Sequence, residues 1–157
     1  MKAAGIKEIK TALETLDQEE LVEYCIRLAR FKQENKELLT YLLFESSDED
    51  AYISHVSEHI SEMFTEVNKS NVYFAKKTIR KILRVANKCI RYSGRDLTQA
   101  EILLLVASEI RKLGLPMEKS TVLQNLYCGV LKKAKKCVEA MHEDLQYEFL
   151  SRLDKLS

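Results

Sequence analysis

Apolar residues recur along this chain at intervals of three and four, the spacing that places them on one face of an α-helix. The first third carries three such stripes, over residues 6–16, 21–31 and 38–43. Asp17 followed by Glu20 predicts a capping box at the start of the second helix, and Asn35 is a candidate cap for the third. The pattern therefore predicts three short helices before residue 45.

The middle of the chain continues the helical pattern, with longer amphipathic stretches and one that is apolar almost all round. Residues 53–67 and 72–92 each predict an amphipathic helix, and Gly94 is placed to end the second of them. Thr98 with Glu101 predicts another capping box. The run from Ile102 to Ile110 is apolar almost all round, so we expect this helix to be central.

The last segment starts at Ser120 or Thr121, after Gly114–Leu115–Pro116 has ended the central helix. Its helical pattern continues to about Leu156. A single helix of that length would be a rod on the order of 50 Å at ~1.5 Å per residue. The alternatives are a break near Gly129 or near Glu143–Asp144.

Composition supports a helical reading of the whole chain. Only one proline and four glycines occur in 157 residues, and apolar residues make up 46 %. Both residue types are unfavourable inside helices, so their scarcity favours helix almost throughout. We predict an all-α fold, a single domain over residues 1–157, with six to seven helices arranged as antiparallel hairpins in a bundle or a short α-solenoid.

Charge is balanced overall, at a formal net charge of +1, but it is strongly segregated along the chain. Residues 37–66 contain no Lys or Arg, whereas residues 69–95 contain no Asp or Glu. This switch in sign predicts either an acidic helix paired with a basic helix or a basic face that awaits an acidic partner.

The basic helix, residues 72–92, is accordingly the leading candidate for a binding surface. Tyr73, Phe74 and Tyr92 flank its cations, and Lys132, Lys133, Lys135 and Lys136 form a second cluster further along the chain. Such cations can track phosphates or contact an acidic protein. The predicted partner-binding residues are Lys77, Arg80, Lys81, Arg84, Lys88 and Arg91.

A metal site is a weaker hypothesis. His55-Val56-Ser57-Glu58-His59 has the spacing of the inverted zincins, in which two histidines one turn apart bind zinc and a glutamate acts as base. His55, His59 and Glu62 share a helix face and are the candidate ligands. A zinc site needs a further, more distant ligand, which the sequence does not supply.

The four cysteines form no C-x-x-C pair, and each lies in an apolar helical pattern. We expect them to be small buried residues in a reducing compartment. The first residues show no apolar leader, and the longest apolar run, Ile102 to Ala107, is too short to cross a bilayer. The sequence predicts a cytoplasmic protein without membrane association.

No nucleophile with its base, no glycine-rich phosphate loop and no dinucleotide fingerprint occur in the sequence. We therefore expect a non-enzymatic helical interaction or scaffold protein that binds a protein partner and needs no cofactor. The alternative is a nucleic-acid-binding protein that uses the basic helix, and the third hypothesis is a metal-dependent hydrolase at His55, Glu58 and His59. The long C-terminal helix, Leu123 to Leu156, is a candidate element for a homodimer.

Overall fold

The computed structural model of the protein describes residues 2–156, apart from the side chain of Lys119. It confirms the all-α prediction and contains eight α-helices in this range, against the six to seven expected. A π-helical turn, Tyr41–Glu45, follows α3, and a short 3-10 turn, Met117–Lys119, precedes α7. The α-helices are α1 (Ile6–Leu13), α2 (Gln18–Phe31), α3 (Gln33–Thr40), α4 (Glu49–Thr65), α5 (Val72–Ser93), α6 (Asp96–Lys112), α7 (Thr121–Glu139) and α8 (Glu143–Asp154).

The chain divides into two compact units, an N-terminal unit, Met1–Phe44, and a C-terminal unit, Glu45–Ser157. A single domain over residues 1–157 stays a prediction.

In the N-terminal unit, α2 and α3 pack on each other. The capping box at α2 is confirmed, because the Glu20 amide donates to Asp17 Oδ1 at 2.8 Å and the Asp17 amide donates to Glu20 Oε2 at 3.3 Å. The predicted Asn35 cap is wrong. Asn35 lies inside α3, and its side-chain amide donates to the Leu28 carbonyl at 2.9 Å instead.

The N-terminal unit buries little apolar surface. Tyr41 is its one buried residue among those described, at 5 % exposure. Twelve large apolar side chains are exposed there: Ile6, Ile9, Leu13, Val22, Tyr24, Ile26, Leu28, Phe31, Leu38, Leu42, Leu43 and Phe44. A unit this small has amphipathic helices but too little interior to bury their apolar residues.

In the C-terminal unit, α6 is the central helix, as predicted, and it packs against α4, α5, α7 and α8. Its buried residues are Thr98, Ala100, Ile102, Leu103, Leu104, Val106, Ala107 and Ile110. A helix that is apolar on nearly all sides can be surrounded by neighbours, and this arrangement gives four amphipathic helices a common surface. The bundle core is built on it.

A buried carboxylate ties the start of α4 to the turn between α5 and α6. Glu49 accepts hydrogen bonds from the hydroxyls of Ser93 and Thr98, and its Oε2 lies 3.3 Å from Arg95 Nε. Gly94 ends α5 in the left-handed conformation at φ 66°, which confirms its predicted role. The Thr98 capping box is wrong, because α6 begins at Asp96 and Thr98 is fully buried inside it.

The single C-terminal helix from Leu123 to Leu156 is also wrong. Ser120 caps α7 as predicted, with its hydroxyl accepting from the Leu123 amide at 3.4 Å, but the chain turns between Glu139 and Glu143. This is close to one of the two breaks considered. α8 packs on α7 and α6 and buries Phe149 and Leu153, so its stripe is covered within the C-terminal unit.

Two side chains hold the end of the chain against its neighbours, Arg152 against α6 and Tyr127 against α7. Arg152 binds both carboxylate oxygens of Glu101 at 2.7 and 2.8 Å, and this hydrogen bonding raises the pKa of the arginine. The Tyr127 hydroxyl donates to the Leu156 carbonyl. A homodimer through this region stays a prediction. The reason for expecting it, a long helix that extends beyond the domain, no longer applies because α8 packs on α7 and α6.

The cysteines differ from the expectation. Cys25 and Cys128 are exposed, Cys89 is half-buried and Cys137 is buried. The Cys137 thiol donates to the Asp96 carbonyl oxygen at 3.2 Å. Burial, followed by the charge of Asp96, raises the pKa of Cys137 to about 11.

None of the helices between residues 2 and 156 combines the length and the apolar character required to cross a bilayer.

Candidate partner-binding groove

The candidate site lies along α5. Asn71 caps this helix, and its Oδ1 accepts from the amides of Tyr73 at 2.9 Å and Phe74 at 3.4 Å. The core side of α5 is formed by Ala75, Ile79, Ile82 and Ala86, all of which are fully buried. Because α5 has only cations as charged residues, its outer sides are necessarily basic.

A surface groove of about 600 Å³ runs beside α5. Its lining is formed by Tyr73, Lys76, Lys77, Arg80, Leu83, Arg84 and Leu126. Six of these residues come from α5 and Leu126 comes from α7. Four cations and three apolar or aromatic side chains therefore line it, and we call this feature the basic groove.

The predicted binding residues separate into two groups. Lys77, Arg80 and Arg84 line the basic groove, whereas Lys81, Lys88 and Arg91 are outside its lining. Lys88 and Arg91 are not free cations, since each has an interaction partner in the structure. The groove thus includes three of the six predicted residues, and partner binding by this helix stays a prediction.

The acidic helix α4 packs on α5, but among the described residues it forms no ion pair with the cations of the groove. Among the side chains that the structure describes, no carboxylate lies within ion-pair distance, 4.0 Å, of Lys76, Lys77, Arg80 or Arg84. The charge switch seen in the sequence therefore leaves four cations available to a ligand.

Two aromatic side chains stand at the start of α5. Tyr73 is 66 % exposed and Phe74 is 52 % exposed, and their ring centroids are 5.5 Å apart at an interplanar angle of 77°. Exposed aromatic rings of this size are common at the centre of protein interfaces and also serve as stacking platforms for bases.

Sequence reasoning missed the two leucines that line the groove, Leu83 and Leu126, which we call its apolar floor. Leu83 has the spacing of a core residue, yet it is only half-buried. Leu126 comes from α7, more than forty residues further along the chain than Leu83, so no local pattern links the two. The position of Leu126 depends on how α5 and α7 both pack on α6.

The second lysine cluster is exposed on α7, at Lys132, Lys133, Lys135 and Lys136. Lys135 lies 4.0 Å from Glu139. A spacing of seven residues places Lys133 on the same side of α7 as Leu126, so the positive surface continues beyond the groove.

Among the described residues, the candidate metal ligands are not joined by the further, more distant ligand that a zinc site needs. His55, His59 and Glu62 are all exposed on α4, and His55 Nδ1 lies 3.8 Å from Glu45 Oε2. Within the described part of the chain, no three His, Cys, Asp or Glu side chains are grouped so that they could hold a metal ion. The geometry offers no support for a zinc hydrolase at this motif.

Comparison of the chain with protein-family models, with curated proteins and with solved structures gave no match.

Proposed function

We propose that this protein is a non-enzymatic interaction protein of the cytoplasm that binds an acidic, amphipathic segment of a protein partner in the basic groove. The observation that carries the proposal is the combination of an apolar floor, Leu83 and Leu126, with cations that have no carboxylate partner among the described residues. A helix with apolar anchors on one side and acids on its flanks is complementary to both features.

The apolar floor favours a protein over a nucleic acid. Complete burial of a leucine side chain contributes about 1.5–3 kcal/mol, and the two half-exposed leucines would gain part of this on binding. A phosphate backbone offers no apolar surface to them. The overall charge of +1 is also low for a nucleic-acid-binding domain.

Nucleic acid is the alternative because of the exposed aromatic pair. Tyr73 and Phe74 adjoin Lys76 and Lys77, and bases of a single strand can stack on such rings while the lysines contact phosphates. Binding of this kind would depend steeply on salt, since each neutralised phosphate releases counterions.

Fluorescence anisotropy separates the two functions. The probes are a labelled acidic amphipathic helical peptide, a peptide of the same composition in scrambled order, and short single-stranded RNA and DNA. The proposal predicts that the amphipathic peptide binds and that the scrambled peptide binds at least about tenfold more weakly, because only the first aligns its apolar residues with the floor.

Three variants locate the binding. Arg80→Glu with Arg84→Glu should abolish peptide binding, whereas Lys132→Glu with Lys136→Glu makes the same change in net charge outside the groove and should leave most of it. Leu126→Gln should weaken the peptide about tenfold without a change in charge. Equal losses in the two charge variants, together with salt-sensitive binding of RNA or DNA that Leu126→Gln does not alter, would replace the proposal with the nucleic-acid alternative.

A further inference from the structure

Helix α2 carries a second separation of charge, within the N-terminal unit. Glu19 and Glu23 lie in its first half, and Arg27 and Arg30 lie in its second half. All four side chains are exposed, and none makes an ion pair with any side chain that the structure describes. The helix therefore has an acidic end and a basic end that nothing described in the chain matches.

Part of this charge lies on the same helix face as exposed apolar residues. Glu19, Val22, Glu23, Ile26 and Arg30 follow the spacing i, i+3, i+4, i+7 and i+11, which confines them to an arc of about 100°. Val22 is 55 % exposed and Ile26 is 43 % exposed. On this face Val22, Glu23 and Ile26 lie between Glu19, near one end, and Arg30, near the other.

We propose that this face of α2 pairs, antiparallel, with the same face of a second copy of the chain. In a twofold-symmetric interface every contact occurs twice. If residue i of one copy contacts residue j of the other, then residue j of the first copy also contacts residue i of the second. A twofold axis at the middle of α2 sets Glu19 against the partner subunit's Arg30 and Arg30 against the partner subunit's Glu19. Val22, Glu23 and Ile26 then lie near the axis.

Two of the twelve exposed apolar side chains of the N-terminal unit, Val22 and Ile26, lie on this face of α2. The apolar contact is therefore much smaller than the about 800 Å² that each partner buries in a standard interface, and the charge pairs at its two ends determine its orientation. A unit of 44 residues, with one buried side chain among those described, is also close to the size of about 40 residues below which oligomerisation commonly supplies the missing core. A second copy fits better than an acidic or a basic partner, because the face contains both charges in mirrored positions.

Charge reversal tests the pairing. Glu19→Arg places like charges opposite each other at both ends of the interface, and so does Arg30→Glu. Each variant alone should therefore dimerise about tenfold or more weakly than the unmodified chain. In an equimolar mixture, every contact of the mixed pair joins an arginine with a glutamate, so dimers should return and should contain one copy of each variant.

The measurement is sedimentation equilibrium, with circular dichroism to confirm that each variant keeps its helix content. Glu58→Arg, an exposed reversal on α4, is the matched control and should leave the dimer unchanged. Ile26→Asp should give a monomer that neither charge variant rescues. A monomeric unmodified chain would overturn the proposal, and so would a dimer that is insensitive to Glu19→Arg and Arg30→Glu. The basic groove lies on α5 and α7, so this result leaves the proposed function untouched.

Discussion

The two units of this protein are built from the same kind of helix, yet they differ in what the helices bury. In the C-terminal unit, residues such as Ile60, Ile79, Ile102 and Val138 are completely buried. In the N-terminal unit, only Tyr41 is buried among the described residues, and twelve large apolar side chains are exposed, against five in the much longer C-terminal unit.

The difference follows from α6. A helix that is apolar on nearly every side gives the stripes of α4, α5, α7 and α8 a shared surface, so each stripe is covered. In the N-terminal unit, residues 2–44 form amphipathic helices but include no such central element. Apolar periodicity therefore determines where a helix forms, and the presence of a partner surface determines whether its stripe becomes a core.

The sharpest test of this comparison is a pair of matched truncations. Ile102→Ala, in the fully buried centre of α6, should lower the free energy of unfolding by about 2–5 kcal/mol through lost burial and the cavity that remains. Leu28→Ala, at a site that is 60 % exposed on α2, should cost no more than about 0.5 kcal/mol. Urea unfolding measures both, and similar losses would contradict the contrast between the units.

The buried carboxylate gives the next largest effect. Glu49→Ala should cost about 2–4 kcal/mol, because the fully buried Thr98 hydroxyl and the Ser93 hydroxyl lose their acceptor and Arg95 loses its ion pair. Asp50→Ala, the next residue in the same first turn, is exposed and should cost less than about 1 kcal/mol. Equal effects in thermal unfolding would mean that Glu49 does not hold α4 to the α5–α6 turn.

The cysteines provide a smaller, pH-dependent contrast. The pKa of Cys137 is raised from 9.0 to about 11, so the thiol is protonated in both the folded and the unfolded chain below pH 9 and contributes no pH dependence there. Between pH 9 and pH 11 the thiol ionises in the unfolded chain before it ionises in the folded one. The free energy of unfolding should therefore fall with rising pH, by up to about 1.4 kcal/mol per pH unit more than it does in Cys137→Ala. Identical slopes for the two proteins would contradict the burial of this thiol.

Exposed and buried cysteines should also differ in their rate of chemical labelling. Cys25, exposed on α2, should react with a maleimide in the native protein, whereas Cys137 should react only when the chain unfolds. Mass spectrometry of the labelled peptides identifies the site, and rapid modification of native Cys137 would be inconsistent with the bundle.

What the sequence predicts well is local. Asp17 and Glu20 are three residues apart, and Gly94 and Ser120 each cap the helix next to them in the sequence. The interactions that define these caps therefore join residues that are close along the chain. The all-α class and the basic helix follow from composition and periodicity in the same way.

What it does not predict depends on tertiary packing. Thr98 and Glu101 have the spacing of a capping box. The Thr98 hydroxyl instead donates a hydrogen bond to Glu49, far upstream, and Glu101 binds Arg152. The basic helix was recognisable, whereas the floor that Leu126 contributes to the groove was not. Longer-range partners of this kind outcompete local motifs and have no signature in a single sequence.

The central claim is that the basic groove is a binding site for an acidic amphipathic segment, and its most direct test is an amide chemical-shift titration of the isotopically labelled protein with such a peptide. The account predicts that the largest shifts fall on residues 73–84 of α5 and around Leu126 of α7, and that they disappear in Arg80→Glu with Arg84→Glu. Shifts centred on other helices, or shifts that the double variant leaves in place, would contradict it.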